Sequence, residues 1–335
     1  MDPLDLVALT RALVDIDSTT GREGDAARWL ADHLRTRGYA VAEQPVDDAR
    51  FNVFARRGRP AVVLSTHFDC VPPFFPSREQ DGLLFGRGAC DAKGILAAQV
   101  VAADRLAAAG EHRVGLLFVV GEERGSDGAR IANALSPGSA YLINGEPTDN
   151  RLGLATRGSL RVRLRAGGRA AHSSFPELGE SAIEKLVDAI VALRGIDLPS
   201  DELLGRTHYT VGLISGGVAP NVVPPAAEAE VMFRTVTPGR SVRERLQPLE
   251  QFVTIDPVID VPPVRMERVD GFETAVFPYT TDIPYLTDWG RPLLFGPGSI
   301  HVAHSDHEYV AISELHEAVD RYVQLAHALL ARPGI

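Results

Sequence analysis

Continuous apolar runs alternate with amphipathic stretches through residues 1–150. The runs predict buried strands over residues 60–69, 113–123 and 140–146, and helical periodicity predicts helices over 2–17, 23–38, 92–110 and 126–136. Asp2 followed by Pro3 is typical of a helix N-terminus. Strands that are apolar throughout and alternate with helices indicate the α/β class, with a mostly parallel sheet flanked by helices.

The pattern changes near Arg157. Alternating apolar and polar residues predict antiparallel strands over 159–168, 207–215 and 226–236, and amphipathic periodicity predicts helices over 178–195 and 241–253, the second interrupted by Pro248. A buried strand at 291–298 and a helix at 312–331 then restore the first pattern. We therefore predict a discontinuous α/β domain, residues 1–157 and 267–335, with an inserted α+β domain, residues 158–266.

Composition excludes several classes of protein. The formal charge of -10 argues against a nucleic-acid-binding surface. No apolar stretch reaches the roughly 20 residues that a membrane-spanning helix needs. The first residues are acidic, whereas a secretory signal begins with positive charge. Two cysteines do not make a disulfide framework, so we expect a cytoplasmic protein that binds neither nucleic acid nor membranes.

Polar residues follow the apolar runs of the α/β domain. In an open sheet of this class the carboxyl ends of the strands are where ligands bind. Carboxylates and imidazoles gathered at one edge would repel one another unless a divalent cation neutralised them. Mixed His and carboxylate ligands suit zinc, with manganese or cobalt as substitutes, and favour a catalytic site that leaves a position for water. The candidates are His67, Asp69, Asp91, Glu122, Glu123, Glu146 and His304.

Each candidate also has a purely structural interpretation. In the His67-Phe68-Asp69 segment, Asp69 could orient a metal-binding imidazole or simply cap a histidine at a strand end. Asp91 could be a helix N-cap. Glu122 and Glu123 could divide the roles of general base and metal ligand, or lie in a solvated turn.

Cys70 and Cys90 each neighbour a candidate aspartate. They could act as a thiol nucleophile or as metal ligands, but we interpret both as small packing residues.

Taken together, these segments resemble the binuclear zinc metallopeptidase/deacylase family of acetylornithine deacetylase, succinyl-diaminopimelate desuccinylase, aminoacylase and glutamate carboxypeptidase. The resemblance covers nearly the whole chain, including the inserted domain. It is carried, in chain order, by LVDIDSTTGREGDAARWLADHL, STHFDCVP, GRGACDAKG, VVGEERGSDG, NGEPT, GRAAHSSFPELGESAI, GGVAPNVVPPAAEAEVMFR, TTDIPYL and FGPGSIHVAHSDHEYV.

The resemblance implies a zinc-peptidase-like fold with two zinc ions per chain, which cobalt or manganese could replace. It implies that His67, Asp91 and Glu146 bind one ion. Asp91, Glu123 and His304 would bind the other, so that Asp91 bridges the two. His301 and His307 are rival ligands, but His304 fits the family's spacing from Gly298 and to Glu308.

The resemblance also implies catalytic roles. Asp69 would orient His67, and Glu122 would be the general base that takes a proton from a metal-bridged water and passes it to the leaving amine. In the inserted domain, His172 would reach into the active site of a partner subunit and stabilise the oxyanion. Asn221 and Arg234 match substrate-binding positions, and the Arg234 fork suits a substrate carboxylate.

From the resemblance we predict a hydrolase that removes an acetyl or succinyl group from an N-acyl amino acid. The segments GEPT, GRAAHSS and GPGSI favour the acetylornithine/acetyl-lysine branch. The alternative is a dipeptidase or carboxypeptidase of the same family, and a third reading is a non-catalytic binding protein that has kept the fold. We also predict a homodimer through residues 158–266.

Overall fold

The computed structural model describes residues 4–335, which divide into two compact units. Unit 1 comprises residues 4–154, 265–275 and 281–335. Unit 2 comprises residues 155–264 and 276–280. The second unit is thus an insertion in the first along the chain.

Seven α-helices lie within residues 4–335. They are α1 (Leu6–Val14), α2 (Gly24–Thr36), α3 (Lys93–Ala108), α4 (Asp127–Ala132), α5 (Ala182–Leu193), α6 (Gly239–Leu246) and α7 (Ile312–Leu330). Asp5 caps α1 by accepting hydrogen bonds from the backbone N–H groups of Val7 and Ala8. The N-cap predicted at Asp2 lies outside the described residues. None of these helices is long and apolar enough to cross a membrane.

The strands, numbered in chain order, are mostly short. They are β1 (Ala40–Pro45), β2 (Phe51–Arg56), β3 (Val62–His67), β4 (Arg78–Gln80), β5 (Leu83–Phe85), β6 (Val114–Val119), β7 (Tyr141–Asn144), β8 (Leu152–Thr156), β9 (Gly158–Gly167), β10 (Ser200–Asp201), β11 (Gly205–Arg206), β12 (His208–Gly216), β13 (Ala226–Thr235), β14 (Thr254–Val261), β15 (Val264–Arg265), β16 (Thr274–Phe277), β17 (Arg291–Leu294) and β18 (Tyr309–Ala311).

The main sheet of unit 1 has six strands in the order β1-β2-β6-β3-β7-β17. Strands β6, β3, β7 and β17 are parallel, β2 is antiparallel to β6, and β1 is antiparallel to β2. Every residue of β3, β6 and β7 is buried, as expected for strands covered on both faces. The predicted α/β class with a mostly parallel sheet is confirmed.

Apolar side chains cover both faces of this sheet. On one face, Leu64 and Phe118 pack in a core formed with α1, α2, α3 and α7. On the other face, Val63 and Leu142 pack against α4 and Trp289. Helix α3 is buried on nearly all sides, and its Ala-rich sequence allows this close packing. Unit 1 has a further small sheet in the order β18-β5-β4. This sheet pairs β18, the strand before α7, with β5, the strand before Asp91.

Unit 2 is built on an antiparallel sheet in the order β12-β13-β9-β14. One face of the sheet packs on α5 and α6 through a core that includes Leu160, Val231 and Phe233. The other face carries the charged residues of β9 and β13, which alternate with the core positions. Pro248 lies in a short 3-10 helix directly after α6, at the predicted interruption. The hairpin β10-β11 also lies in unit 2. The last sheet of the described chain has the order β15-β8-β16.

Candidate metal centre

The carboxyl ends of β6, β3 and β7 are neighbours in the sheet of unit 1. His67 is the last residue of β3, Glu122 and Glu123 lie in a 3-10 turn shortly after β6, and Glu146 follows β7 by two residues. Because parallel strands end at the same edge, three separate segments deliver their polar side chains to one place. The central pair β3-β6 brings the His67 segment beside the Glu122–Glu123 turn.

His67 is fully buried and contacts two aspartates. Its Nε2 lies 3.0 Å from Asp91 Oδ1, while its Nδ1 lies 3.0 Å from the Asp69 carbonyl oxygen and 3.4 Å from Asp69 Oδ1. Burial alone would lower the pKa of His67, but hydrogen bonds to Asp69 and Asp91 raise that pKa well above its ordinary value. The Asp69 side of the ring fixes its orientation and leaves Nε2 directed at Asp91.

Asp91 presents its two carboxylate oxygens to two different histidines. Oδ1 faces His67, and Oδ2 lies 3.4 Å from His304 Nε2. Burial acts to raise the pKa of Asp91, but the contacts with His304 and His67 hold it well below its usual value. The N-cap of α3 is Ala92, without a side-chain hydrogen bond, so the helix-capping interpretation of Asp91 is wrong. The Asp91–Ala92 peptide bond is cis.

His304 lies in the loop between β17 and β18 and has a positive φ of 62°. Its Nε2 is 2.9 Å from Glu123 Oε1. Hydrogen bonds to Asp91 and Glu123 raise the pKa of His304 to about 10. The rival histidines of this loop, His301 and His307, are exposed, and within residues 4–335 neither contacts these carboxylates.

Glu146 and Glu122 complete the group. Glu146 is 5% exposed, and its buried Oε1 has no hydrogen-bond partner among the described residues. Burial raises the pKa of Glu146 and of Glu122 well above the ordinary value, and for Glu122 the charge of Glu146 adds to the effect. Glu122 keeps part of its surface exposed, unlike Glu146.

The nitrogen and oxygen donors of this group are suited to binding a divalent metal ion. One ligand atom from each of His67, Asp91 and Glu123 lies within 4.8 Å of the others. Imidazole nitrogens and carboxylate oxygens suit zinc, manganese and cobalt. The orphaned oxygen of Glu146 and the raised pKa values of the glutamates show that the group has more buried negative charge than its own histidines compensate. The five predicted ligands, His67, Asp91, Glu123, Glu146 and His304, are called the ligand cluster below.

The Asp69 carboxylate accepts hydrogen bonds from other groups besides His67. Its Oδ1 accepts the Glu122 N–H at 3.0 Å, and its Oδ2 accepts the Glu123 N–H at 3.2 Å. The Thr20 hydroxyl donates to Oδ2 at 2.8 Å. The same carboxylate therefore orients a histidine of the ligand cluster and fixes the backbone of the turn that carries both glutamates. Sequence reasoning missed Thr20, because a threonine in a loop gives no signal of a contact 49 residues away.

Asp282 is a further buried carboxylate near this group. It is 1% exposed, and neither of its oxygens has a hydrogen bond of ordinary geometry within the described chain. Burial raises the pKa of Asp282 to about 6, an effect that the nearby Ser126 hydroxyl partly offsets. Its charge in turn contributes to the raised pKa of Glu122 and Glu146. The TTDIPYL segment was the only sequence signal for this residue.

Cys70 and Cys90 are 2% and 0% exposed, respectively, and form no disulfide. Cys70 packs against Gly88, whose φ of +87° and lack of a Cβ are both required, since a Cβ there would lie 2.6 Å from the Cys70 sulfur. Burial raises the pKa of Cys70 to about 12 and that of Cys90 well above its ordinary value. Neither thiol is activated as a nucleophile.

In unit 2, the segments of His172 and Asn221 lie side by side. His172 forms an isolated β-bridge with Val222, and the Ser173 N–H donates to the Asn221 carbonyl at 3.0 Å. The His172 ring is exposed on this unit, and its Nδ1 accepts the Ser174 N–H at 3.2 Å. Two residues predicted from separate motifs are thus brought together within unit 2.

Arg234 lies on the charged face of β13 in unit 2, half-buried. Burial lowers its pKa, and it has no ion pair among residues 4–335. The neighbouring arginines of that face are paired: Arg163 contacts Glu230 at 2.7 Å, and Arg165 contacts Asp256 at 2.9 Å. A half-buried guanidinium without a counter-charge is suited to an anionic ligand.

Residues 63–328 match the model of a family described as peptidase family M20/M25/M40. A peptidase M20 domain-containing protein of Schizosaccharomyces pombe is 39% identical over 336 residues, which cover 96% of this chain and 84% of that protein. A probable carboxypeptidase of Aspergillus clavatus is 38% identical over 380 residues, with 98% of this chain and 83% of the relative covered.

Two solved structures are similar in fold. A tripeptidase from Staphylococcus aureus superposes with a TM-score of 0.83 at 20% identity, covering 99% of this chain and 100% of that one. A dinuclear metal-binding peptidase from Bacillus subtilis superposes with a TM-score of 0.74 at 15% identity, with 98% of each chain covered.

Proposed function

The chain belongs to peptidase family M20/M25/M40, and on that premise we propose that it hydrolyses the amide bond next to the free carboxylate of a small substrate. The observation that carries the proposal is the ligand cluster, in which Asp91 joins two histidines and Glu122 lies beside the buried carboxylates. Membership of the metallopeptidase family is confirmed, and the protein is a metal-dependent amide hydrolase of that family, while the predicted acetylornithine/acetyl-lysine branch stays a prediction.

The residues of the ligand cluster would hold the metal. We propose two zinc ions per chain, one bound by His67, Asp91 and Glu146 and the other by Asp91, Glu123 and His304. The two contacts of Asp91 support its role as the bridging residue. When bound, such ions supply a Lewis acid for the scissile carbonyl and make water acidic enough to attack near neutral pH.

The chain's own groups would manage the protons and charges of the reaction. Glu122, part of whose surface is exposed, would take the proton of the attacking water and give it to the leaving amine. Its raised pKa suits a group that must both accept and release a proton near neutral pH. Asp69 would keep His67 and the Glu122–Glu123 turn in place. His172 would donate a hydrogen bond to the oxyanion.

Arg234 would bind the substrate carboxylate, and Asn221 would bind a neighbouring polar group. The support for Arg234 is its lack of an ion pair on a face where the other arginines are paired. A guanidinium fork can bind a carboxylate through two parallel hydrogen bonds. This requirement for a free carboxylate is common to carboxypeptidases and to deacylases of N-acyl amino acids.

The two substrate classes differ on the acyl side of the bond. The relatives named as probable carboxypeptidases favour a peptide, and we place this candidate first. The segments GEPT and GRAAHSS favour an N-acetyl or N-succinyl amino acid, which stays the second candidate.

A matched panel of substrates tests both candidates. The zinc- or cobalt-loaded protein would be assayed on acetyl- and succinyl-amino acids, on dipeptides, and on N-blocked dipeptides that share the same C-terminal residue. Each substrate would have a partner whose carboxylate is amidated. We expect turnover of N-blocked dipeptides and none of the amidated partners. Faster turnover of acetyl or succinyl amino acids would select the deacylase, and turnover of amidated substrates would overturn the proposal.

We further propose that residues 1–157 and 267–335 form the catalytic domain and that residues 158–266 mediate a homodimer. The support is exposed apolar surface in unit 2: Leu213 and Ile214 of edge strand β12 are 66% and 61% exposed, and Val191 of α5 is 56% exposed. We expect sedimentation to show a dimer that Ile214→Glu dissociates. Val258→Glu, on the opposite edge strand β14, is the control. A fully active monomer would contradict the role of His172 in a partner's site.

A further inference from the structure

A buried carboxylate outside the ligand cluster organises the loop that carries Asp91. Glu308 is 0% exposed, and its Oε1 accepts three backbone N–H groups, from Gly88 at 3.0 Å, Cys90 at 3.1 Å and Asp91 at 3.0 Å. Its Oε2 accepts from Arg87 Nη1 at 2.7 Å. Three donors that converge on one charged oxygen fix the backbone of the loop directly at Asp91.

Arg87 supplies the opposite charge and is itself held in place. Its side chain is 2% exposed, its Nε donates to the Pro73 carbonyl at 3.2 Å, and its guanidinium lies over the Phe75 ring at 5.0 Å. Burying a charged pair is favourable only when further hydrogen bonds satisfy both partners. Glu308 meets this condition through the three N–H groups of the Asp91 loop, whereas Arg87 Nη2 is buried without a hydrogen-bond partner among the described residues. The buried charge of Arg87 therefore depends on Glu308, and Glu308 in turn depends on the loop.

The strand pairing places this carboxylate at the base of two ligand loops. Glu308 immediately precedes β18, in which Tyr309 pairs with Phe85, the last residue of β5. The Asp91 loop begins directly after Phe85, and the Gly86 N–H donates to the Glu308 carbonyl at 3.1 Å. His304 lies four residues before Glu308. The segments that carry Asp91 and His304 are therefore joined at Glu308.

We infer that Glu308, together with Arg87, is a positioning residue that fixes the Asp91 carboxylate for metal binding. This inference rests on the proposed function of the ligand cluster. Glu308 acts through Asp91 and does not itself bind metal. Partners that orient the ligands of a metal commonly change metal affinity about 10- to 100-fold when they are replaced.

The substitution Glu308→Gln tests this role with little change of shape. An amide can accept hydrogen bonds through only one of its two heavy atoms. In one orientation its NH₂ group would face Arg87, and in the other it would face the three backbone N–H groups. Both arrangements set donors against donors, so the loop must shift although the side-chain volume is kept. Arg87→Lys is a milder second variant, since it keeps the charge but loses the fork that spans Glu308 and Pro73.

The measurement is cobalt binding to the metal-free full-length protein, by chelator competition and by the visible absorption spectrum of the bound ion. Asp104→Asn is the matched control. Asp104 is also a buried carboxylate of unit 1, 9% exposed, and it holds Arg37 and Arg57 at 2.7 Å each. Its loss should lower thermal stability without touching the ligand cluster.

We expect Glu308→Gln to weaken cobalt binding about 10- to 100-fold and to change the spectrum. Arg87→Lys should give a smaller loss in the same direction, and it decides the question if Glu308→Gln does not fold. Asp104→Asn should bind cobalt as the wild type does. Wild-type affinity and spectrum in both test variants, or equal losses in the control at equal thermal stability, would overturn the inference alone. A wild-type protein that binds no cobalt would overturn the proposed function and the inference with it.

Discussion

In unit 1 the ligand cluster brings ionisable side chains together at the edge where β3, β6 and β7 end, and most of them are buried. In unit 2 the charged side chains of β9 and β13 are spread over the open face of the antiparallel sheet. On the sheet of unit 2 arginines form ion pairs with acidic residues, as Arg163 does with Glu230, so their charges largely cancel. In the ligand cluster the carboxylates outnumber the histidines, and Glu146 keeps an oxygen without a partner. Partly exposed ion pairs such as that of Arg163 with Glu230 contribute little to stability, while buried uncompensated charge is costly. The difference supports the proposal that the ligand cluster holds a cation, whereas the ion pairs of unit 2 balance their own charge.

Removing one carboxylate from each group should have very different effects on the protein. Asp91→Asn takes away the residue that contacts both His67 and His304, so we expect metal binding and turnover to fall to background. Glu230→Gln breaks a partly exposed pair and should lower the melting temperature by no more than about 2 °C, with activity unchanged. Metal content by atomic emission, turnover and thermal unfolding would be measured on both variants. An active, metal-loaded Asp91→Asn protein would refute the assignment.

The second prediction separates the base from the ligands. Glu122→Gln should keep the metal, because Glu122 is not among the five residues of the ligand cluster. Its turnover should fall about 10²- to 10⁴-fold, the range that general acid–base groups contribute. Steady-state kinetics and metal content on the same sample test this. Loss of metal from Glu122→Gln would instead make Glu122 a ligand.

The third prediction concerns the one arginine that departs from the pairing pattern of its face. Arg234→Ala should raise KM about 10- to 100-fold for substrates with a free carboxylate, in line with a lost charge-assisted hydrogen bond. Arg163→Ala, whose partner is Glu230, is the control and should leave KM within about twofold. Equal effects of the two substitutions would remove the distinction between Arg234 and its neighbours.

The fourth prediction is that metal affinity depends on pH. Contacts with carboxylates raise the pKa of His67 and His304, the latter to about 10, and so favour the protonated imidazoles in the metal-free protein. Metal needs the neutral imidazole, so its binding must release these protons. Apparent affinity should therefore rise with pH from about 7 to 10, up to tenfold per unit for each proton. Calorimetry in buffers of different ionisation enthalpy counts the protons, and a pH-independent affinity would contradict the prediction.

The sequence predicted most of the large elements because their apolar patterns are long. It missed the hairpin β1-β2, since Ala40–Pro45 is an edge strand with no fully buried residue and a polar composition. It also missed the three-stranded sheet β18-β5-β4, whose three-residue strands are too short to show a period. That small sheet places Glu308 under the Asp91 loop, so its absence from the prediction hid the connection between the two ligand loops.

The site could be predicted in part for a similar reason. His67 and the Glu122–Glu123 pair stand out in the sequence because they are polar and come at the end of long apolar runs, which become the buried strands β3 and β6. Arg87 and Thr20 act through hydrogen bonds to distant segments, which only the folded chain defines. Nor could the sequence reveal that Asp69 holds the Glu122–Glu123 turn as well as His67, because this requires the order of strands in the sheet.

The buried thiols give the native chain a reporter of its own. Cys70 and Cys90 are the only cysteines, each directly neighbours an aspartate of the centre, and both are closed to solvent. A thiol reagent can modify them only when the Asp69 or Asp91 segment opens, so the rate of modification measures how often the centre opens. A ligand that binds only the closed form must slow that rate in proportion to its occupancy. Modification of the two native cysteines therefore reports the opening of the segments that carry Asp69 and Asp91, without any introduced cysteine.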